Sequence, residues 1–167
     1  MAGKVSLLIV DDEERFLKTL TTRLGMRDFD VTAATDGGRA VEAARERKFD
    51  LALVDLKMPG MDGEEVLELL KKNDPYIEVV ILTGHGSIDS AIHCTKLGSY
   101  GYLQKPCSTD ELLQVLKSAY EKRVRRKLEM SEENLTDFLR MATGGSPLSI
   151  LRKLRELEEK HETEKGS

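Results

Sequence analysis

The chain has 167 residues, of which 40% are hydrophobic and 34% charged, with a formal net charge of −4. This is the composition of a globular protein, and the acidity, which lies in residues 1–120, argues against general nucleic-acid binding. No apolar run approaches the roughly 20 residues of a membrane span, no signal-peptide core precedes the first strand, and two cysteines, Cys94 and Cys107, are too few for a disulfide framework. We therefore expect no membrane partner and a reducing, cytoplasmic setting.

Short apolar runs alternate with segments of helical periodicity along the first part of the chain. The runs predict strands at Val5–Val10, Asp30–Ala34, Leu51–Asp55, Glu78–Thr83 and Tyr100–Gln104. The central runs are apolar throughout, which is typical of strands that are buried on both faces. Five strands that alternate with five helices predict an α/β fold, a doubly wound and mainly parallel sheet.

Capping residues predict where two of the helices begin. Asp62 with Glu65, and Ser108 with Glu111, have the spacing of a capping box. The helix that begins near Ser108 has no clear end before Met130.

Beyond this helix, two further helical patterns predict a C-terminal helical extension. One begins at Ser131, and the other begins with Pro147 after a Gly-Gly-Ser break. We expect a domain of residues 1–125 and a tail of residues 126–167 that has no recognisable output domain. The basic run at 122–127 is interpreted as the solvated end of the fifth helix, in preference to a basic patch.

The last helical pattern carries a short apolar face. Ile150, Leu154 and Leu157 recur at helical spacing, but about three turns are too short for an isolated coiled coil. The face must pack on the rest of the chain, on a second copy or on a partner. We favour the first two possibilities.

Polar residues follow four of the predicted strands at the same edge of the sheet, where functional groups gather in parallel sheets. Asp11 and Asp12 follow the first strand, Asp55 ends the third, Thr83 ends the fourth and Lys105 follows the fifth. Three neighbouring carboxylates repel unless a cation lies among them, and Mg²⁺ suits such an oxygen-rich site. A lysine ammonium suits phosphoryl oxygens, and aspartate can form an aspartyl phosphate. We therefore predict Mg²⁺ as a cofactor and Asp55 as the attacking group.

Four motifs in the same order carry a specific resemblance. They are VDDEE at 10–14, VDLKMPGMDG at 54–63, ILTGHG at 81–86 and GYLQKP at 101–106. From about Lys4 to Tyr120, the chain resembles the receiver domain of bacterial two-component response regulators. The resemblance implies a five-stranded, flavodoxin-like sheet of order 2-1-3-4-5.

The resemblance also implies roles for single residues. Asp55 would accept a phosphoryl group from a phosphohistidine on a sensor histidine kinase or a phosphotransfer protein. Asp12 and Asp55 would bind Mg²⁺ directly, together with the backbone carbonyl of Lys57, and Asp11 would act largely through a metal-bound water. Thr83 would hydrogen-bond the phosphoryl group.

Lys105 would pair with the phosphoryl group, and the Lys105-Pro106 bond is commonly cis in the family. Tyr102 occupies the position of an aromatic switch that turns inward when Thr83 moves toward the phosphate. The chain would then be a signalling switch that catalyses only its own phosphorylation and dephosphorylation.

The surface that such a switch changes would be the fourth helix, the fifth strand and the fifth helix. We expect it to control protein–protein interaction, and a homodimer through this face or through the tail is an open alternative. By themselves, Ile88 and Ile92 of the fourth helix are interpreted as core residues in preference to interface residues.

Two other functions compete with this prediction. The chain could be the receiver fragment of a longer DNA-binding transcriptional regulator, although the tail lacks the length and the basic recognition helix of a helix-turn-helix module. A Mg²⁺-dependent phosphatase of the haloacid dehalogenase kind also uses an aspartate at a strand end. Its motif has a second aspartate two residues later, where this chain has Lys57.

Overall fold

A computed structural model describes residues 3–142 and 145–166 of the chain. It contains five strands and seven helices: β1 Val5–Val10, α1 Glu14–Gly25, β2 Phe29–Ala34, α2 Gly37–Glu46, β3 Leu51–Val54, α3 Gly63–Asn73, β4 Glu78–Thr83, α4 Ile88–Lys96, β5 Gly101–Gln104, α5 Thr109–Leu128, α6 Glu132–Ala142 and α7 Pro147–Gly166. All strand pairs are parallel, in the order β2-β1-β3-β4-β5, which confirms the predicted fold. Each predicted strand is found within one residue of its expected bounds.

Helices cover both faces of the sheet because alternate residues of the central strands point to opposite sides. On one side, Leu7 and Ile9 of β1 belong to an apolar cluster with α1 and α5. On the other side, Leu8 and Val10 belong to a cluster with α2 and α3. Burial on both faces explains why these strands are apolar throughout. Among the described residues, no helix is long and apolar enough to span a bilayer.

Helix caps follow the sequence pattern. The carboxylate of Asp62 accepts a hydrogen bond from the Glu65 amide, and the Ser108 hydroxyl accepts one from the Glu111 amide, so both predicted caps are confirmed. The expectation for the apolar residues of α4 is wrong. Ile88 is 81% exposed and Ile92 is 51% exposed, because the buried side of this short helix is occupied by Cys94.

The tail packs on the receiver-like sheet domain instead of extending from it. Leu151 and Leu154 of α7 are buried in the same cluster as Tyr120 and Val124 of α5, which is the first of the packing possibilities. Gly144, which belongs to the predicted Gly-Gly-Ser break between α6 and α7, lies outside the described residues. The expectation of a solvated end for α5 is also wrong, since Arg123 is buried against carboxylates of the sheet domain and of α7.

Candidate functional site

Three carboxylates meet at the carboxyl edge of the sheet. Asp11 follows β1 and Asp55 follows β3. The Asp55 amide donates a hydrogen bond to the Val10 carbonyl at 2.9 Å, which keeps the ends of the two strands side by side. Asp12 is exposed, whereas Asp11 and Asp55 are each only 2% exposed. One oxygen from each of the three lies within 4.8 Å of the others. The predicted acidic cluster therefore forms, and Asp12 gives it contact with solvent.

Lys105 reaches this cluster from the end of β5. Its Nζ atom lies 2.6 Å from Asp11 Oδ2 and 3.9 Å from Asp55 Oδ2. Burial alone would lower the pKa of Lys105, but the hydrogen bond and charge of Asp11 raise it above its ordinary value. The ammonium therefore stays charged, and it neutralises part of the buried negative charge.

Asp11 responds to the same surroundings. Burial raises the pKa of Asp11 above its ordinary value, although Lys105 and the Glu13 amide, which donates to Asp11 Oδ1 at 2.9 Å, act in the opposite direction. The single positive charge of Lys105 thus neutralises only part of the negative charge of the three carboxylates. This residual repulsion favours a cation among the three carboxylates.

The site fits a magnesium ion by an observation that is independent of the motif. Asp55 Oδ1 is buried and has no hydrogen-bond partner, which is costly for a carboxylate oxygen unless something binds it. Carboxylates with access to water are the ligands that Mg²⁺ takes in proteins. Asp11, Asp12 and Asp55 would hold the ion. That the backbone carbonyl of Lys57 is a further ligand remains a prediction.

Thr83 lies at the same edge as the cluster, as the last residue of β4 beside β3. It is fully buried, and its hydroxyl accepts a hydrogen bond from the His85 amide at 3.1 Å. Its carbonyl accepts from the Lys105 amide at 2.9 Å, which fixes the start of the lysine side chain. Lys105-Pro106 is a cis peptide bond, as the resemblance implies.

Tyr102 of β5 connects this edge to α4. Its hydroxyl lies 3.0 Å from the Ser90 hydroxyl, within hydrogen-bond distance. A Cβ atom on Gly86 would lie 2.5 Å from the tyrosine oxygen, so only glycine leaves room for the ring in this position. The ring therefore lies against the segment between Thr83 and α4.

A second glycine shapes the loop that carries Asp55. A Cβ atom on Gly63 would lie 2.2 Å from the Asp55 carbonyl oxygen and 2.7 Å from the Leu56 Cα atom. The Gly63 amide donates to the Leu56 carbonyl at 2.8 Å, so the start of α3 is tied back to the end of β3. The glycine of the DG pair is therefore required by a close backbone approach, which holds Asp55 at the sheet edge.

Two residues at the site were not expected from the sequence. The Phe16 ring centroid lies 4.0 Å from Lys105 Nζ, in a cation–π contact, and Glu13 Oε1 lies 3.3 Å from the same atom. Glu13 directly precedes α1 and Phe16 lies in its first turn, and both are about 90 positions from Lys105 in the chain. The available signals were that Glu13 belongs to the VDDEE motif and that Phe16 follows this motif by two residues, in the first turn of α1.

Fold and site together define a class of protein. Residues 7–117 match the response regulator receiver domain family, and the chain belongs to this family. Family membership decides against the haloacid dehalogenase alternative.

Two curated relatives place the chain more closely. It is 34% identical over 121 residues to a putative NtrX-like response regulator of Rickettsia typhi, and 37% identical over 115 residues to the transcriptional regulatory protein GlrR of Escherichia coli K12. These matches cover 71% and 69% of this chain but 26% of each relative. The chain therefore spans about a quarter of the length of the curated relatives it matches.

Solved structures agree with the fold. A CheY-like receiver domain protein from Methanospirillum hungatei has a TM-score of 0.72 and 27% identity, and the match covers 74% of this chain and 99% of the other. A complex of CheX, CheY, BeF₃ and Mg²⁺ from Borrelia burgdorferi has a TM-score of 0.66 and 27% identity, with 70% of this chain and 89% of the other covered.

Proposed function

We propose that Asp55 is the phosphoacceptor of this receiver and that it takes a phosphoryl group from the phosphohistidine of a sensor histidine kinase or a phosphotransfer protein. The observation that carries the proposal is the unpartnered Asp55 Oδ1 in a cluster that also contains Lys105. A carboxylate oxygen that is held in place but unbound is suited to attack phosphorus. The transfer forms the bond from this oxygen to phosphorus and breaks the phosphorus–nitrogen bond to the histidine.

Each residue of the edge then has a physical task. Lys105 exchanges part of its contact with Asp11 for the phosphoryl oxygens, whose charge it offsets. The Thr83 hydroxyl donates to a phosphoryl oxygen. Mg²⁺, when bound by Asp11, Asp12 and Asp55, supplies positive charge that offsets the charge of the transferred group. The chain thus catalyses only its own phosphorylation and dephosphorylation.

The proposed output is a change in protein–protein interaction at α4, β5 and α5. Phosphorylation adds about −1.5 to −2 charges, and the new contacts of Thr83 and Lys105 exist only in that state. Tyr102 contacts α4 through Ser90, so movement at Thr83 can be transmitted to this helix. The exposed Ile88 and Ile92 supply an apolar surface there, which a partner or a second copy could cover.

The test is incubation of the full chain with Mg²⁺ and a small acyl-phosphate donor, followed by intact mass spectrometry. We expect one phosphoryl group per chain, which hydrolyses readily and is absent when EDTA is present or in Asp55→Asn. The matched control is Asp137→Asn, which changes an exposed aspartate of α6, outside the cluster and outside α4, β5 and α5, and should be phosphorylated as the wild type is. Phosphorylation that persists in Asp55→Asn would overturn the proposal.

A second candidate is the receiver part of a longer DNA-binding regulator. It is supported by the relatives, one of which is described as a transcriptional regulatory protein of about four times the matched length. A gel-shift assay of the phosphorylated chain tests whether this chain itself binds DNA: salt-sensitive, sequence-specific binding would support a DNA-binding regulator, whereas a receiver part whose DNA-binding part lies elsewhere gives no shift.

We also propose that the phosphoryl transfer takes place in the cytoplasm. Cys94 is buried and Cys107 half-buried, and both are free thiols, which are typical of a reducing compartment.

A further inference from the structure

A cavity of about 430 Å³ lies between the tail and the start of the sheet, and we name it the tail cavity. Its walls come from three segments that are distant in the chain: residues 3–5 at the start of β1, the turn at Arg27 and Asp28 before β2, and residues 148–156 of α7. The volume falls within the roughly 300–1,000 Å³ of ligand sites in proteins. Because Val5 begins β1 and Asp11 follows its end, the tail cavity lies at the opposite end of the sheet from the acidic cluster.

The inner wall of the tail cavity is apolar. Val5 and Leu151 line it, are 4% and 3% exposed, and belong to the apolar cluster that also includes residues of α1 and α5. Leu148 lines it as well and is half-buried against the same cluster. Apolar side chains that face a cavity lack dispersion contacts on that side, so an apolar ligand group is favoured there.

Contacts between α7 and the sheet domain fix the walls. Arg152 donates two hydrogen bonds to Asp28, the one from Nε at 2.6 Å. Asp28 has a φ of 64°, in the left-handed region that residues other than glycine rarely adopt, so this ion pair holds an unusual turn against α7. The Gly3 amide donates to Glu159 Oε1 at 2.8 Å, which ties the residues before β1 to the same helix. The tail cavity is therefore bounded by specific contacts of α7 with two other segments.

The charged side chains of the tail cavity carry a surplus of positive charge. Among the described residues that line it, four are cations and two are carboxylates: Lys4, Arg27, Arg152 and Arg155, against Asp28 and Glu156. Arg155 has carboxylates of its own helix as partners, at 3.2 Å from Glu158 and 3.4 Å from Glu159. Glu156 accepts a hydrogen bond from Lys153 at 3.1 Å. With Arg152 paired to Asp28, only two of the four cations are satisfied by carboxylates.

The other two cations, Lys4 and Arg27, form no ion pair with a carboxylate in the part of the chain that the structure describes. Arg27 Nη1 donates to the Arg23 carbonyl at 2.8 Å, which leaves the other N–H groups of its guanidinium available. A guanidinium binds a carboxylate through two parallel hydrogen bonds, so a ligand carboxylate would suit this position. The carboxylates of Asp28 and Glu156 disfavour a second negative charge in the same cavity.

We propose that the tail cavity is a binding site for a small organic anion that carries one carboxylate on an apolar body. The apolar body lies against Val5 and Leu151, and the carboxylate pairs with Lys4 and Arg27. Such a ligand contacts the start of β1, the turn before β2 and α7 at the same time. Its binding therefore fastens the tail to the sheet domain.

The site is a property of the tail and is independent of the phosphoacceptor function. Residues 7–117 match the receiver family, whereas Arg27 and Asp28 are the only residues of the cavity lining that fall within this range. All the other lining residues precede the matched range or belong to α7. The acidic cluster is at the other end of the sheet, so failure of either proposal leaves the other intact.

The test uses the full chain and the fluorescent probe anilinonaphthalene sulfonate, an apolar anion with a single charge. We expect saturable binding of the probe, which decanoate displaces. Decanol, which has the same carbon chain without the charge, should displace it roughly tenfold more weakly. Lys4→Gln together with Arg27→Gln should weaken decanoate binding roughly tenfold or more. The matched control is Arg15→Gln together with Lys18→Gln, which removes the same charge from exposed residues of α1 outside the cavity and should bind as the wild type does.

Equal displacement by decanol and decanoate would overturn the assignment to an anion. Absence of saturable binding, or equal binding to the Lys4 and Arg27 variant, would overturn the site. Should that variant lose its circular dichroism spectrum, the wild-type chain decides instead. Titration with decanoate must then shift the amide resonances of Val5, Arg27 and Leu151, and shifts that are confined to other elements overturn the proposal.

Discussion

Asp12→Asn tests the charge balance of the acidic cluster without any phosphoryl donor. The substitution removes one of three carboxylates whose oxygens lie within 4.8 Å of one another. Two unit charges at this separation repel by about 1 kcal/mol in water and about 3.5 kcal/mol at an effective dielectric constant of 20. Asp12 is exposed and Lys105 offsets part of the repulsion, so the lower figure applies. We therefore expect the metal-free variant to be about 1 kcal/mol more stable, with a melting temperature about 2–4 °C higher.

Magnesium should reverse the order of the two proteins. A metal ion that binds only the folded state stabilises it by about 2.7 kcal/mol at a hundred times its dissociation constant, and the variant lacks one of the carboxylates proposed to hold the ion. The assay is thermal unfolding followed by circular dichroism, in EDTA and in a series of Mg²⁺ concentrations. Glu42→Gln on α2 is the control for loss of one exposed acidic charge elsewhere. A metal-free Asp12→Asn chain that melts below wild type, or an equal Mg²⁺ response in both, would refute the reasoning.

Three further predictions follow from single contacts. Gly63→Ala should lower the free energy of unfolding by about 2 kcal/mol and slow phosphorylation, because the new Cβ would overlap the Asp55 carbonyl. Urea titration measures the stability and intact mass spectrometry the phosphorylation rate. An unchanged phosphorylation rate would contradict the claim that Gly63 holds Asp55 in place. Phe16→Leu should slow phosphorylation by acyl phosphate about two- to fivefold through loss of the ring beside Lys105, whereas Phe16→Tyr should keep the rate; equal rates in both variants would exclude the cation–π contribution. Glu158→Gln should lower the free energy of unfolding by about 3 kcal/mol above pH 5. Because the pKa of Glu158 is lowered in the folded state, the stabilisation by its carboxylate is lost on protonation, so the difference from wild type in urea titrations should shrink as pH falls below 4.5. A difference that grows in acid would contradict this expectation.

The sequence was sufficient for the sheet and for most of the candidate site, for one physical reason. Parallel strands place their carboxyl ends at one edge, so residues that follow separate apolar runs converge whatever lies between them. Asp11, Asp55 and Lys105 could therefore be grouped from their places in the chain alone. The two helix caps at Asp62 and Ser108 were predictable because they depend on residues only three positions apart.

What could not be predicted depends on contacts between distant elements. The Phe16 ring reaches Lys105 only because α1 starts beside the end of β5. The basic end of α5 was expected to be exposed to solvent. Helical periodicity within α5 carries no information about Glu158, which lies 35 residues after Arg123 and binds it. Ile92 was expected in the core because it is apolar, yet α4 is too short and too peripheral to bury it.

The most direct test of the account is to locate the phosphoryl group within the chain. After reaction with an acyl-phosphate donor and Mg²⁺, reduction with borodeuteride converts a phosphorylated aspartate to deuterated homoserine, which peptide mass spectrometry can place. We predict a single homoserine, at position 55. Homoserine at position 11 or 12, or at any acidic residue away from the cluster, would contradict the claim that the sheet edge presents Asp55 as the attacking group.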